Sequence, residues 1–407
     1  MSAIAAEPAN TRAVALVSGA HLYSHLYIFL LPPLFPLLKD SFGVGYTELA
    51  IAVTVFNVVT GLTQAPVGFL VDRVGARALL VIALIVESLA FVLIAAFPSY
   101  PMLIVMMVVA GLANAVYHPA DYVILNASVD SQKMGRAFSI HTASGFFGGF
   151  LAPALSIPLA AVIGWQNAVM LLAGSGVLMA VVLLAGGSAL KDPQTDGAAP
   201  QAEKKASGMT LLLSAPVLMG FAFYCGLSAF GQGLGNFNTS ALSGIYDAPL
   251  TTLGIMVTIY MFASPVGVLS GGWIADKIDA HDRFAALCLI GITLAAFAIA
   301  AVKMPLWLLG TVFAIAGLLN GILSPSRDML IRKMTPPGQM GKVFGFVTSG
   351  FNAAGIITPP LFGWLLDRNE PELVFWVAGA LCLVTIPTVL VTGASGRRAA
   401  REAQGAA

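Results

Sequence analysis

Long apolar runs, interrupted by short polar or Gly/Pro-rich turns, dominate the chain. A helix needs about 20 apolar residues to cross the hydrocarbon core of a bilayer. Read this way, the sequence predicts twelve spans, at 13–38, 46–70, 77–97, 101–127, 137–161, 166–187, 210–241, 250–275, 284–302, 305–330, 341–366 and 373–393. The stretch at 188–209, from Lys191 through Lys204 and Lys205, has no apolar periodicity and reads as a flexible polar linker. The expected organisation is a six-helix half (1–187), the linker (188–209), and a second six-helix half with a short tail (210–407).

Composition agrees with a bilayer as the solvent. Of the 407 residues 58% are hydrophobic and only 10% are charged, where a soluble domain carries about 25%. The mean hydropathy is +0.89. A net charge of +1 leaves no polybasic surface for nucleic acid. The three cysteines, Cys225, Cys288 and Cys382, sit inside apolar runs without metal-ligand spacing and read as small buried hydrophobes. The first residues lack a basic region before a short apolar core, so the first span is expected to stay rather than be cleaved as a signal peptide. Twelve spans would place seventeen of the 20 Lys and Arg on the side of both termini, leaving Lys39, Lys303 and Arg368 opposite. The positive-inside rule then predicts cytoplasmic termini and a cytoplasmic linker.

The two halves repeat each other. Gly111-Leu-Ala-Asn114, Pro119, Met134-Gly135-Arg136 and Phe138 return 206 residues later as Gly317-Leu-Leu-Asn320, Pro325, Met340-Gly341-Lys342 and Phe344. Gly68 through Asp72 and Arg73 returns 204 residues later as Gly272 through Asp276 and Lys277. Repeated halves of membrane helices point to a transporter with its site between the repeats.

Six plus six helices, a polar linker and the string Gly68-Phe-Leu-Val-Asp72-Arg73-Val-Gly75-Ala-Arg77 after span 2 resemble the major facilitator superfamily. The second-half copy, Gly272 to Lys277, is degenerate. The resemblance implies an all-α fold of two pseudo-symmetric six-helix bundles, alternating access, and a gating role for the loop. There Gly68 and Gly75 would permit close helix approach and a tight turn. Asp72 would bridge to a helix N-terminus or an arginine and lock the outward-open state. The span 1 string from His21 to Pro36 and the span 4 string Tyr117-His118-Pro119-Ala-Asp121 are similar to the fosmidomycin-resistance-like branch, which is associated with drug efflux. Met107 stands where the family's drug exporters usually carry arginine, and span 5 has no Gly-Pro pair.

Polar side chains at membrane depth are expensive, so each one is a candidate site residue. His21 and His25 share a face of span 1, as do Tyr23 and Tyr27. With no third ligand apparent beside the histidines, no metal site is expected. Asn114, His118 and Asp121 form one stripe of span 4, and Asn320, Ser324 and Arg327 occupy the matching stripe of span 10. Asp121 and Arg327 are thus repeat mates of opposite charge. Two readings stand open: an inner gate formed by the pair, or local partners such as Arg136 for Asp121 and Asp328 for Arg327. Arg327 could also clamp an anionic substrate. Glu87 in span 3 is a proton-relay candidate, and His141 of span 5 a further pathway candidate. Gly231, Gly233 and Gly235 beside Gln232, Asn236, Asn238 and Thr239 predict a bent or unwound stretch in span 7. Asn57, Tyr260 and Asn352 complete the expected pathway.

The expected protein is a monomeric, multi-pass carrier of the bacterial inner membrane, taking a small organic solute in a lipid bilayer. Proton-coupled efflux is the first reading, and uptake of a small organic anion with Arg327 as its partner is the alternative. The sequence contains no Gly-x-x-x-x-Gly-Lys-Ser/Thr string to bind ATP and no compact nucleophile or metal cluster, so neither a cofactor nor an enzyme is expected.

Overall fold

A computed structural model of the protein describes residues 7–130, 133–192, 209–275, 277–335 and 340–405, less the side chains of 7–10, 65, 72, 135, 209–210, 340–342 and 395–405. The described residues form helices and turns, without a strand. They belong to two compact units, Met1–Glu203 and Lys204–Ala407. Most of the expected linker lies outside the described residues.

In the first unit the helices are α1 (Glu7–Ile28), α2 (Phe35–Phe42), α3 (Tyr46–Val74), α4 (Ala76–Ala96), α5 (Tyr100–Asn114), α6 (Tyr117–Ser128), α7 (Met134–Ile163) and α8 (Trp165–Ala185). Span 1 was expected as one helix, but it breaks between α1 and α2. Pro32 and Pro33 have no N–H to donate and restrict the residues before them, so a short 3₁₀ turn replaces the α-helix there. Span 4 breaks between α5 and α6 at Ala115 and Val116. Pro119 cannot donate to the carbonyl of Ala115, and the Val116 N–H turns to Ala113 instead.

The second unit contains the short α9 (Met209–Leu212), then α10 (Ala215–Gly231), α11 (Asn238–Ile245), α12 (Leu250–Ala275), α13 (His281–Ala301), α14 (Leu306–Met334), α15 (Met340–Asp367) and α16 (Pro371–Gly405). Between α10 and α11, Gln232–Asn236 winds as a π-helix, where the glycines of span 7 predicted a distortion. α14 runs unbroken through Pro325, the repeat mate of Pro119. Among the described residues eleven segments are long and apolar enough to cross a membrane, and α15, 28 residues long, stands at the expected span 11.

The duplication is visible in the packing. α1 lies against α7 as α10 lies against α15, α3 against α5 as α12 against α14, and α4 against α8 as α13 against α16. It extends to single hydrogen bonds. Thr60 donates to the Gly111 carbonyl at 3.1 Å, and Ser264 donates to the Gly317 carbonyl at 3.2 Å. Each half thus uses one hydroxyl and one glycine to bring its second and fourth spans together, the small-residue packing that helices use in lipid.

Candidate functional site

Four of the five histidines gather around one carboxylate in the first unit. α1 contributes His21 and His25, α6 contributes His118 and Asp121, and α7 contributes His141. Asp121 is 0% exposed, His141 2% and His21 3%. His141 donates through Nε2 to Oδ2 of Asp121 at 2.9 Å. Nδ1 of His21 lies 3.4 Å from the same oxygen. The rings of His21 and His141 stack with centroids 3.8 Å apart, and His25 and His118 lie 4.8 and 5.1 Å from His21.

Local sequence explains how three helices place these groups so close. His21 and His25 are one turn apart on α1, so both face α7. Gly145 leaves them room: a Cβ there would come within 2.9 Å of both imidazoles. One turn further along, Gly148 lets α7 meet the Leu22 carbonyl of α1 directly. Pro119 sits inside the first turn of α6, which carries His118 and Asp121. Hydrogen bonding inside the cluster is incomplete, because Nδ1 of His21, Nδ1 of His118 and Oδ1 of Asp121 are buried without a partner. Such a collection of polar groups at bilayer depth is suited to binding an ion or a polar solute.

A second buried polar group lies in the same unit. Glu87 of α4 is 0% exposed. Its Oε1 accepts from the Asn114 amide at 3.1 Å. The Tyr117 hydroxyl approaches the same carboxyl without full hydrogen-bond geometry. Tyr27, expected in the pathway, is buried and hydrogen-bonded within the first unit. Its hydroxyl donates to the Ala173 carbonyl at 2.9 Å and lies 2.7 Å from Ser88 Oγ.

The second unit builds a different chemistry at the matching place. Arg327 donates through Nε to Asp328 at 2.8 Å. Its guanidinium lies 5.0 Å from the Tyr224 ring and 5.6 Å from the Phe351 ring. The Tyr224 hydroxyl donates to Asp328 at 2.9 Å. Phe351 is the repeat mate of Gly145, so the room taken by imidazoles in one half is filled by an aromatic ring in the other. Asp121 and Arg327 therefore each have partners within their own unit. Arg327 meets Asp328, one of the local partners considered for it, whereas Asp121 meets His21 and His141 rather than Arg136, which is exposed.

Other expected site residues are placed as follows. Asn57 donates to its own helix, at the Val53 carbonyl, 2.9 Å away. Gln232 accepts from Asn236 at 2.6 Å within the π-helix. Tyr260 is buried and Asn352 half-buried. Half-buried Asn320 accepts from Ser324 through its carbonyl. In the loop after α3, Gly75 has φ +105°, which makes the tight turn that glycine allows. At Gly68, expected at a close helix approach, and at Gly272, a Cβ would meet no described atom within 4 Å. Arg73 and Lys277 are exposed, and Lys277 lies over the Trp273 ring at 3.4 Å. The Asp72 side chain and Asp276 lie outside the described residues. One contributor was missed from sequence. Asp192, past the end of α8, accepts from the Arg77 backbone N–H at 3.0 Å, and the Arg77 guanidinium packs on Gly187. Nothing in the local pattern pointed to this long-range cap.

The family model of the Major Facilitator Superfamily matches residues 17–239 and 223–406. The chain belongs to the major facilitator superfamily. It is a transporter rather than an enzyme, with the twelve-helix fold of that superfamily. Among superfamily relatives, the fosmidomycin resistance protein of Escherichia coli (strain K12) is 22% identical over 386 residues, which is 92% of this chain and 91% of that protein. The multi-drug resistance efflux pump PmrA of Streptococcus pneumoniae is 24% identical over 378 residues, 88% of this chain and 89% of PmrA. The probable sulfoacetate transporter SauU of Cupriavidus necator is 23% identical over 379 residues, 85% of each chain. The crystal structure of a bacterial homolog to the human lysosomal transporter Spinster, in an inward-facing and occupied conformation, shares the superfamily fold, with a TM-score of 0.75, 13% identity and 97% of both chains covered.

Proposed function

We propose that this chain exports a small organic solute across the bacterial inner membrane by alternating access, driven by the proton gradient, with both termini in the cytoplasm. The observation that carries proton coupling is Glu87: a wholly buried carboxyl within a membrane-spanning helix, held by an amide and with no basic group against it among the described residues. Such a group can take up and release one proton without stranding a counter-ion, and ionisable groups at this depth mark ion or substrate pathways. The full-length likeness to two resistance and efflux proteins supports export. The seventeen-to-three distribution of basic residues supports the orientation.

The test is solute flux in proteoliposomes with and without an imposed pH gradient. Flux should rise with the gradient, and Glu87→Gln should abolish that dependence while exchange of solute at equal pH persists. Flux indifferent to the gradient in the unaltered protein removes the proton-coupling reading.

A second reading, uptake of a small organic anion, draws on Arg327 caged by Tyr224 and Phe351 and on the likeness to SauU. Competition by small sulfonates and carboxylates in the same vesicles, weakened in Arg327→Lys, would favour it over export.

A further inference from the structure

We infer that His21, Asp121 and His141 form a binding site for one divalent transition-metal ion, with His118 or His25 available as a further ligand. The inference stands apart from the proposed export reading, which places no ion on these residues.

The ligand atoms are already gathered. One imidazole nitrogen each of His21 and His141 and a carboxylate oxygen of Asp121 all lie within 4.8 Å of one another, and all three residues are buried. Around a four-coordinate ion with bonds of about 2.0–2.1 Å, donor atoms stand roughly 3.4 Å apart. The Asp121–His21 separation is 3.4 Å and the Asp121–His141 separation is 2.9 Å. The ion would therefore replace the hydrogen bond between Asp121 and His141, and the two groups would part by a few tenths of an ångström. The stacked rings of His21 and His141 turn about their Cβ–Cγ bonds to converge on it. Gly145, which has no side chain, leaves room for this turn.

The unpartnered atoms argue the same way. Nδ1 of His21 has no hydrogen-bond partner, although the Asp121 carboxylate is beside it, and Nδ1 of His118 and Oδ1 of Asp121 are also unsatisfied. Buried polar atoms in native structures are seldom left in this state. At 3.4 Å from Oδ2, with its ring stacked on that of His141, the His21 nitrogen makes no hydrogen bond to the carboxylate, whereas a cation would engage all three groups. The ligand chemistry selects the ion. Two or three imidazoles and one carboxylate suit borderline ions such as Zn²⁺, Co²⁺ and Ni²⁺, whereas Mg²⁺ and Ca²⁺ prefer all-oxygen sites. The ligands come from three spans, so a bound ion would cross-link α1, α6 and α7.

The experiment uses tag-free, full-length protein in detergent. Co²⁺ and Zn²⁺ are titrated, bound metal is counted by elemental analysis after equilibrium dialysis, and the visible absorbance of Co²⁺ is followed. One ion per chain is expected, with affinity falling at least tenfold in both Asp121→Asn and His141→Gln. His281→Gln, which alters the one histidine outside the cluster, should bind as the unaltered protein does. Variants are compared where their size-exclusion profile matches the parent's at the temperature of the titration, well below their melting temperatures. If Asp121→Asn fails to match, His21→Gln carries the comparison. Sub-stoichiometric binding, or binding undiminished in the cluster variants, overturns the inference.

Discussion

Asp121 and His141 come from different spans, yet Oδ2 of the first lies 2.9 Å from Nε2 of the second, with both side chains out of solvent. Removing one partner of a buried hydrogen bond leaves the other unsatisfied, at a cost of about 1–3 kcal/mol. His141→Ala is therefore expected to lower the melting temperature of the detergent-solubilised protein sharply. Asn57→Ala, which removes only a bond within one helix, should cost about 0.5–1 kcal/mol. Equal melting temperatures for the two variants would show that the pair carries no stability.

Two glycines inside helices should respond differently to alanine. A Cβ at Gly148 would run into the Leu22 backbone, which cannot yield without moving α1. Gly148→Ala should cost about 1–3 kcal/mol through overpacking. Gly68→Ala meets open space and should be neutral or stabilising by up to about 1 kcal/mol from helix propensity. Thermal unfolding of the two variants side by side checks the contrast.

Asp192 closes the start of α4 from 115 residues away, accepting from the Arg77 N–H. A carboxylate at a helix N-terminus satisfies an orphan donor and complements the helix dipole. Asp192→Ala should cost about 1 kcal/mol, and Asp192→Asn less, since the amide oxygen still accepts. The difference between these two variants should shrink at high salt, and a salt-independent difference would exclude the dipole contribution.

In the second unit, burial of the Tyr224 ring should contribute more to stability than its hydroxyl does. Tyr224 is 1% exposed, whereas the Asp328 side chain that it bonds is 48% exposed. Tyr224→Phe should cost about 1 kcal/mol, one hydrogen bond to a solvated partner. Tyr224→Ala should cost about 3–5 kcal/mol, as for other buried aromatic truncations. A phenylalanine variant as unstable as the alanine variant would reverse this assignment.

Much of the fold was legible in the chain. Span length and hydropathy report directly on the bilayer, and the offsets of 204 and 206 residues reported the duplication that recurs in the Thr60–Gly111 and Ser264–Gly317 hydrogen bonds. The Gly231, Gly233 and Gly235 series pointed to a bent or unwound stretch in span 7, and a π-helix stands there. The breaks at Pro32–Pro33 and before Pro119 were written in the same prolines, but the apolar run continues through them and hides them from a reading of hydropathy.

The candidate site was legible residue by residue and not as a whole. His21, His25, His118, Asp121 and His141 each stood out because ionisable groups are costly inside a membrane. Tyr27 stood out for the same reason and proved to be tied to Ser88 and Ala173. The difference cannot be read along the chain. A transmembrane helix is apolar on every face, so its pattern does not say which neighbour a polar side chain will meet. Sequence alone determined that the chain crosses a membrane as two repeated six-helix halves. Only the tertiary structure decided that His21 and His25, which lacked a third ligand on their own helix, face Asp121 and His141. That decision belongs to packing: at Gly145 and Gly148, α7 carries no side chain, so α1 approaches closely enough for polar groups far apart in sequence to meet.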